Sequence, residues 1–301
     1  MAIKPYLQLV RLPNVFTAAA DSLAGWLLVG GTYAEPNRWL PLTAASMAIY
    51  AAGIVWNDVF DYETDLRERP SRPLPSGRVS RRFAVALGTV LIAAGPLMAA
   101  LSGAAVSLGV AVALAACVLA YDLGGKRSFL GPELMGACRG LNILLGMSQA
   151  PALGGPAGWL VAGSMAVFVA GITWISRSET ESGRVNGLYA GMVLENLAIA
   201  GLALAALQPR AFPSPTVSRP IVAPEGLLVI ALVAWVVNLA SARALKEPVP
   251  ARLQRAVKTG VLSLVWLNVG VVAAVRGPLP ALGVAALWVP AFLLGRWIYS
   301  T

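Results

Sequence analysis

Three aspartates, Asp58, Asp61 and Asp65, are spaced i, i+3 and i+7 within the segment WNDVFDYETDLRERPSRPLPSGRVSRR. On a helix turning about 100° per residue, these positions fall within about 60° of arc, with Asn57 beside them. Three carboxylates and an amide then share one stripe. Like charges this close repel unless a cation sits among them. An all-oxygen donor set suits Mg²⁺, which keeps several waters and bridges to substrate phosphate oxygens. Arg69, Arg72 and Arg78 follow at once, and their planar forks can hold phosphate oxygens in bidentate fashion. The combination describes a clamp for a diphosphate and its metal. No histidine is present, which removes triad, zinc-protease and imidazole acid–base chemistry. Cys117 and Cys138, the only cysteines, are too few and too isolated for a disulfide framework or a CxxC metal site.

The elements that must carry this clamp are membrane helices. Of 301 residues, 57% are apolar and 12% charged, against roughly 25% charged in a soluble chain. Ten apolar runs are long enough to cross a bilayer: 14–31, 39–57, 83–101, 104–121, 134–153, 157–175, 185–207, 225–242, 257–275 and 279–297. The last two could instead be one crossing and one peripheral helix. The N-terminus lacks the small-residue cleavage site of a signal peptide, so the first span is expected to stay. With ten crossings, eighteen Lys and Arg fall on one side and four on the other, with Arg139 inside a span. That asymmetry places both termini in the cytoplasm. The net charge of +9 is therefore largely topological, and no nucleic-acid partner is expected. Sidedness accounts for the cations but not the acids. Nine of the fourteen acids stand in or beside three cytoplasmic breaks: Asp58, Asp61, Glu63, Asp65 and Glu68; Asp122 and Glu133; Glu179 and Glu181. Ionisable or amide groups at membrane depth are functional candidates; these are Asp21, Arg139, Asn142, Glu195 and Asn196. Arg139 and Asn142 are one turn apart, and Asp21 or Glu195 could neutralise the arginine.

NDVFDYETD fits the NDxxDxxxD signature of the UbiA superfamily of intramembrane prenyltransferases, and RPSRPLPSGRVS resembles that family's usual continuation. RLPNVFTAAADSLAG in the first span and YDLGGKR before the fifth extend the resemblance in order and spacing over most of the N-terminal two-thirds. The final three spans match in hydropathy alone. Within the superfamily the chain is most similar to the UbiA-like proteins of ebo gene clusters. The resemblance implies an all-α bundle of about nine to ten transmembrane helices around a central cavity, one membrane-embedded domain over residues 1–301, in a bacterial-type inner membrane. It implies that Asn57, Asp58, Asp61 and Asp65 hold Mg²⁺ and the diphosphate of a prenyl donor. Arg72 and Lys126 would contact the diphosphate, with Tyr121 and Arg11 lining the site; Arg69, Arg139, Asn142 and Asp21 complete the candidates. The acceptor would be an aromatic or hydroxyl compound soluble in the membrane.

The family's second acidic motif, DxxxD, is eroded here. In ISRSETESG, Glu179 stands at the last acidic position and Ile175 at the first. Glu181 is no simple replacement, since residues two apart on a helix point about 200° apart. The erosion puts a second metal in doubt and leaves an alternative function: a lipid carrier, transporter or assembly component that keeps the prenyl-diphosphate pocket without fast turnover. An ordinary secondary transporter, with its site near mid-membrane, is a third reading.

Overall fold

The computed structural model describes residues 3–177, 185–212 and 223–298. The regular structure of the described residues is all helical, with no strand. A short α1 (Lys4–Leu9) precedes α2 (Leu12–Leu28). The long α3 (Pro36–Phe60) runs almost directly into α4 (Tyr62–Glu68). Then follow α5 (Arg81–Ala100), α6 (Ala105–Asp122), α7 (Gly131–Met147), α8 (Gly155–Arg177), α9 (Val185–Ala206), α10 (Pro224–Lys246), α11 (Pro250–Arg276), α12 (Pro278–Ala286) and α13 (Trp288–Trp297).

Prolines start many of these helices. Pro36, Pro224, Pro250 and Pro278 each open one, where the missing N–H would lack a partner anyway and φ is already helical. At α5 the start is a side-chain cap: Ser80 Oγ accepts from the Phe83 N–H at 3.2 Å. Eight of the helical segments are at least 18 residues long and apolar enough to cross a membrane, α12 and α13 counting as one. α2 and α7, each 17 residues long and about 26 Å at 1.5 Å per residue, stand where the two further spans were expected. The protein is a multi-pass membrane protein. The tenth span is broken at Leu287.

The core is organised around α2, which packs on α3, α7, α11 and α13. Every residue from Thr17 to Val29 is buried, as befits a helix apolar on all sides. By contrast α5, with Val90 and Leu97 exposed, and α10, with Leu228, Leu232 and Trp235 exposed, turn apolar side chains to lipid. Neighbouring helices approach closely through small residues. A Cβ on Gly146 of α7 would run into the Ser22 carbonyl of α2, and one on Gly25 of α2 into the Ile143 carbonyl of α7.

Cross-helix bonds define two faces. On one, the end of α3 meets the α6–α7 turn through Lys126 and Asp61. On the other, Ser107 bonds Ser148 at 2.7 Å and Tyr33 donates to the Pro280 carbonyl at 2.7 Å.

Candidate functional site

The stripe of aspartates forms at the end of α3. The helix is interrupted at Asp61 (φ −88°, ψ 7°), yet the Asp61 N–H still bonds the Asn57 carbonyl at 2.9 Å and the Asp65 N–H the Asp61 carbonyl at 2.8 Å. The register expected for an uninterrupted helix is therefore nearly kept. Asp58 and Asp65 point to the same place, and the cation between them is Arg72. Its Nη1 lies 2.6 Å from Asp65 Oδ2 and 3.4 Å from Asp58 Oδ1. All three residues are buried. Arg72 reaches back because the chain after α4 folds into a turn closed by Ser76 N to the Arg72 carbonyl at 3.0 Å. Arg78 staples that turn by donating to the Ser71 carbonyl and to Ser76 Oγ.

Two further elements bring cations to the stripe. Arg11, between α1 and α2, is held in the left-handed region (φ 43°, ψ 53°), which costs an L-residue roughly 1–2 kcal/mol. This kink delivers its Nη2 to Asp58 Oδ1 at 3.2 Å. From the turn after α6, Lys126 Nζ lies 2.7 Å from Asp61 Oδ2, and Arg127 Nη2 lies 3.7 Å from Asp61 Oδ1. Arg177, at the end of α8, straps the turn in place by donating to the carbonyls of Lys126 at 2.8 Å and Ser128 at 2.6 Å.

Asn57 turns from the aspartates toward α6 and donates to Asp122 Oδ1 at 3.2 Å. The other oxygen, Asp122 Oδ2, is buried with no hydrogen-bond partner. Asp122 belongs to this site; the sequence marked it as an acid of the second cytoplasmic break and gave it no role. Among the described residues, no three acidic side chains close on a metal by themselves. The carboxylates of the stripe and the orphaned Asp122 oxygen are oxygen donors of the kind Mg²⁺ takes beside substrate oxygens and water. The donor chemistry fits the ion.

The remaining candidates fall elsewhere. Tyr121 is half-buried beside Asp122, and Arg69 caps α4 with its side chain exposed. Glu179 and Glu181 lie outside the described residues. Asp21, Arg139 and Asn142 do come together, but on one another. Arg139 Nε ion-pairs with Asp21 Oδ2 at 2.6 Å, and its Nη2 donates to the Thr17 carbonyl at 3.1 Å. Asn142 donates to Asp21 Oδ2 at 3.1 Å. Asn268 of α11, unmarked in the sequence, donates to Asp21 Oδ1 at 2.7 Å. This buried network ties α2, α7 and α11 about 15 Å along α2 from Arg11, at 1.5 Å per residue. Glu195 is separate from it, accepting from Ser241 at 3.4 Å, and Asn196 pairs with Asn238. Phe168 is a fully buried core side chain, whereas Trp56 and Phe60 stack with centroids 5.2 Å apart beside the aspartates.

Residues 21–248 match the UbiA prenyltransferase family. A digeranylgeranylglyceryl phosphate synthase from Sulfolobus acidocaldarius is 35% identical over 134 residues, 44% of this chain and 46% of the relative. The match thus spans about half of that relative's length. A solved structure from work on digeranylgeranylglyceryl phosphate synthase in membranes superposes with a TM-score of 0.67 at 23% identity, covering 91% of this chain and 99% of the other. A homologue from Archaeoglobus fulgidus, solved with GPP and Mg²⁺, superposes with a TM-score of 0.55 at 13% identity, covering 85% and 98%. These two likenesses establish the shared fold.

Proposed function

The chain belongs to the UbiA prenyltransferase family, and from that premise we propose that it transfers a prenyl group, with Mg²⁺, from a prenyl diphosphate to a lipophilic acceptor with an aromatic ring or hydroxyl. The observation that carries this reading is the buried Arg72 bridging Asp58 and Asp65, with Lys126 held on Asp61 across the α3–α6 gap. Cations and carboxylates are pre-paired at the end of an apolar bundle. That is where a molecule with a diphosphate head and a hydrocarbon tail would have to sit.

In this reading Asn57, Asp58, Asp61, Asp65 and Asp122 would hold the metal, with Glu179 a further candidate ligand. Bound Mg²⁺ supplies charge neutralisation on the diphosphate oxygens. Arg72 and Lys126 would exchange their carboxylate partners for phosphate oxygens, and Arg11, already on Asp58, would add charge, with Arg69 a further candidate at the end of α4. As the allylic C–O bond breaks, the electron pair leaves with the diphosphate. Preorganised cations stabilise that growing charge without waiting for solvent to reorient. The allylic carbon then bonds to the acceptor oxygen or ring carbon, which loses its proton. Tyr121, and the Asp21–Arg139–Asn142 network deeper in the bundle, would line the path of the substrates. The excess of cations on the clamp's side supports an orientation with the clamp and both termini in the cytoplasm.

The test is Mg²⁺-dependent diphosphate release by the purified protein from geranylgeranyl diphosphate, with phenolic and alcohol acceptors, beside the Asp61→Asn variant. Release that needs both Mg²⁺ and Asp61 is expected. Full activity of the variant, or release without metal, would overturn the assignment. Mg²⁺-dependent binding without release under any acceptor would favour the carrier function instead.

A further inference from the structure

Outside the clamp, α10 and α11 form a second cationic feature on the same face. Their cytoplasmic ends diverge around a cleft of about 400 Å³ whose wall includes Arg243, Arg252, Arg255 and Thr259, with Val236 and Leu239 deeper along α10. α11 is 27 residues long, about 40 Å at 1.5 Å per residue, against roughly 30 Å of bilayer hydrocarbon. Its first turns, which carry Arg252 and Arg255, therefore stand at headgroup level.

Sidedness alone calls for cations here, but not for their convergence. Three guanidinium groups from two helices face one cleft, and among the described residues one carboxylate, Glu247, answers them, held by Arg252 at 2.7 Å. Arg252 is fixed further by donating to the Arg243 carbonyl at 3.1 Å. Arg243 and Arg255 have exposed side chains with no acidic partner among the described residues. Below the cations the lining becomes apolar. Leu228, Leu232, Trp235, Val236, Leu239 and Arg243 lie on one stripe of α10 about 100° wide. Leu228, Leu232 and Trp235 on this stripe are more than half exposed. A polar, cationic head space thus opens onto a continuous apolar track running into the membrane.

We propose that this cleft binds an anionic phospholipid, its phosphate held by Arg243 and Arg255 and an acyl chain laid along the Leu239–Leu228 stripe of α10. The charge complementarity selects a phosphate carrying net negative charge. The adjoining track selects a lipid over a soluble phosphate. None of these residues belongs to the prenyl-diphosphate clamp, so the site stands or falls independently of the proposed reaction.

The full-length protein in detergent is titrated with phosphatidylglycerol or phosphatidylcholine of the same chains, and bound lipid is counted by native mass spectrometry. Phosphatidylglycerol is expected to bind the wild type in preference. Arg243→Gln/Arg255→Gln is expected to weaken it about thirtyfold, from roughly 1 kcal/mol for each interfacial cation, while its affinity for phosphatidylcholine is unchanged. Circular dichroism checks that the double variant is folded; should it not be, Arg255→Gln alone is expected to cost about fivefold. Equal retention of both lipids by the wild type, an undiminished phosphatidylglycerol preference in the folded variant, or displacement of the lipid by equimolar inorganic phosphate would each overturn the proposal.

Discussion

Arg72 and Lys126 bind carboxylates of the same stripe, yet their surroundings give them different weights. Arg72 is buried between two buried aspartates, its side chain 8% exposed. Removing one partner of a buried pair leaves uncompensated charge and costs about 3–5 kcal/mol. Arg72→Met is therefore expected to lower unfolding stability by about that amount and to abolish transfer as well. Lys126 sits at the rim against Asp61, itself 22% exposed, where water can replace a lost partner. Lys126→Met is expected to keep stability within about 1 kcal/mol while reducing diphosphate release by about 10²–10³-fold, the usual effect of losing one preorganised charge-stabilising group. Unfolding curves and release assays on both variants check the contrast; equal destabilisation would contradict it. At this scale the aspartate stripe and the arginines that follow it were legible from spacing and chemistry, whereas Lys126 entered through the family resemblance. Asp122 was visible as an acid near the membrane edge, but nothing local paired it with Asn57.

The elements explain how those residues stay in register. α2 and α7 cross where Gly25 and Gly146 let each backbone touch the other, and the Asp21–Arg139–Asn142–Asn268 network ties the same helices to α11. In a membrane, where hydrophobic burial does not drive helix association, such close approach and buried bonding carry the packing. Gly146→Val must push α7 away from the Ser22 carbonyl. It is expected to cost about 3 kcal/mol, measured by unfolding in mixed micelles, and to reduce activity without touching a site residue. Unaltered stability would mean that the crossing is looser than described. The break at Asp61 also belongs to this scale. The shared stripe presupposed one helix through it; the structure divides it into α3 and α4 with the hydrogen-bond register kept, so Asp58 and Asp65 still meet on Arg72 while Asp61, at the break, turns to Lys126.

For the whole molecule, the arrangement is a sidedness statement. The clamp, the α6–α7 turn and the α10–α11 cleft share one face, and Thr32 and Tyr33 lie on the other. Single cysteines at Ser71, Glu247 and Thr32, all exposed, in a background lacking Cys117 and Cys138, test it with a membrane-impermeant maleimide. Positions 71 and 247 are expected to label in inverted vesicles and position 32 in intact cells. Labelling of 71 and 247 from opposite sides would break the ten-span topology. The broken tenth crossing does not affect this test, because every probe lies before it.

Membrane residence, the asymmetry of charge and the stripe of aspartates follow from the sequence by itself, because each depends on composition or on spacing within one helix. Partner choice was decided by the tertiary structure. Arg139 could have been neutralised by Asp21 or by Glu195; packing of α2 against α7 selected Asp21 and added Asn268, 247 residues away from it. Likewise α6 brings Lys126 to Asp61 across 65 residues, and the Arg11 kink adds a second guanidinium to Asp58. Local periodicity says which way a side chain points from its own helix. Which helix it meets is set by the close crossings and buried charges of the assembled bundle, and these are properties of pairs of helices that no single segment carries.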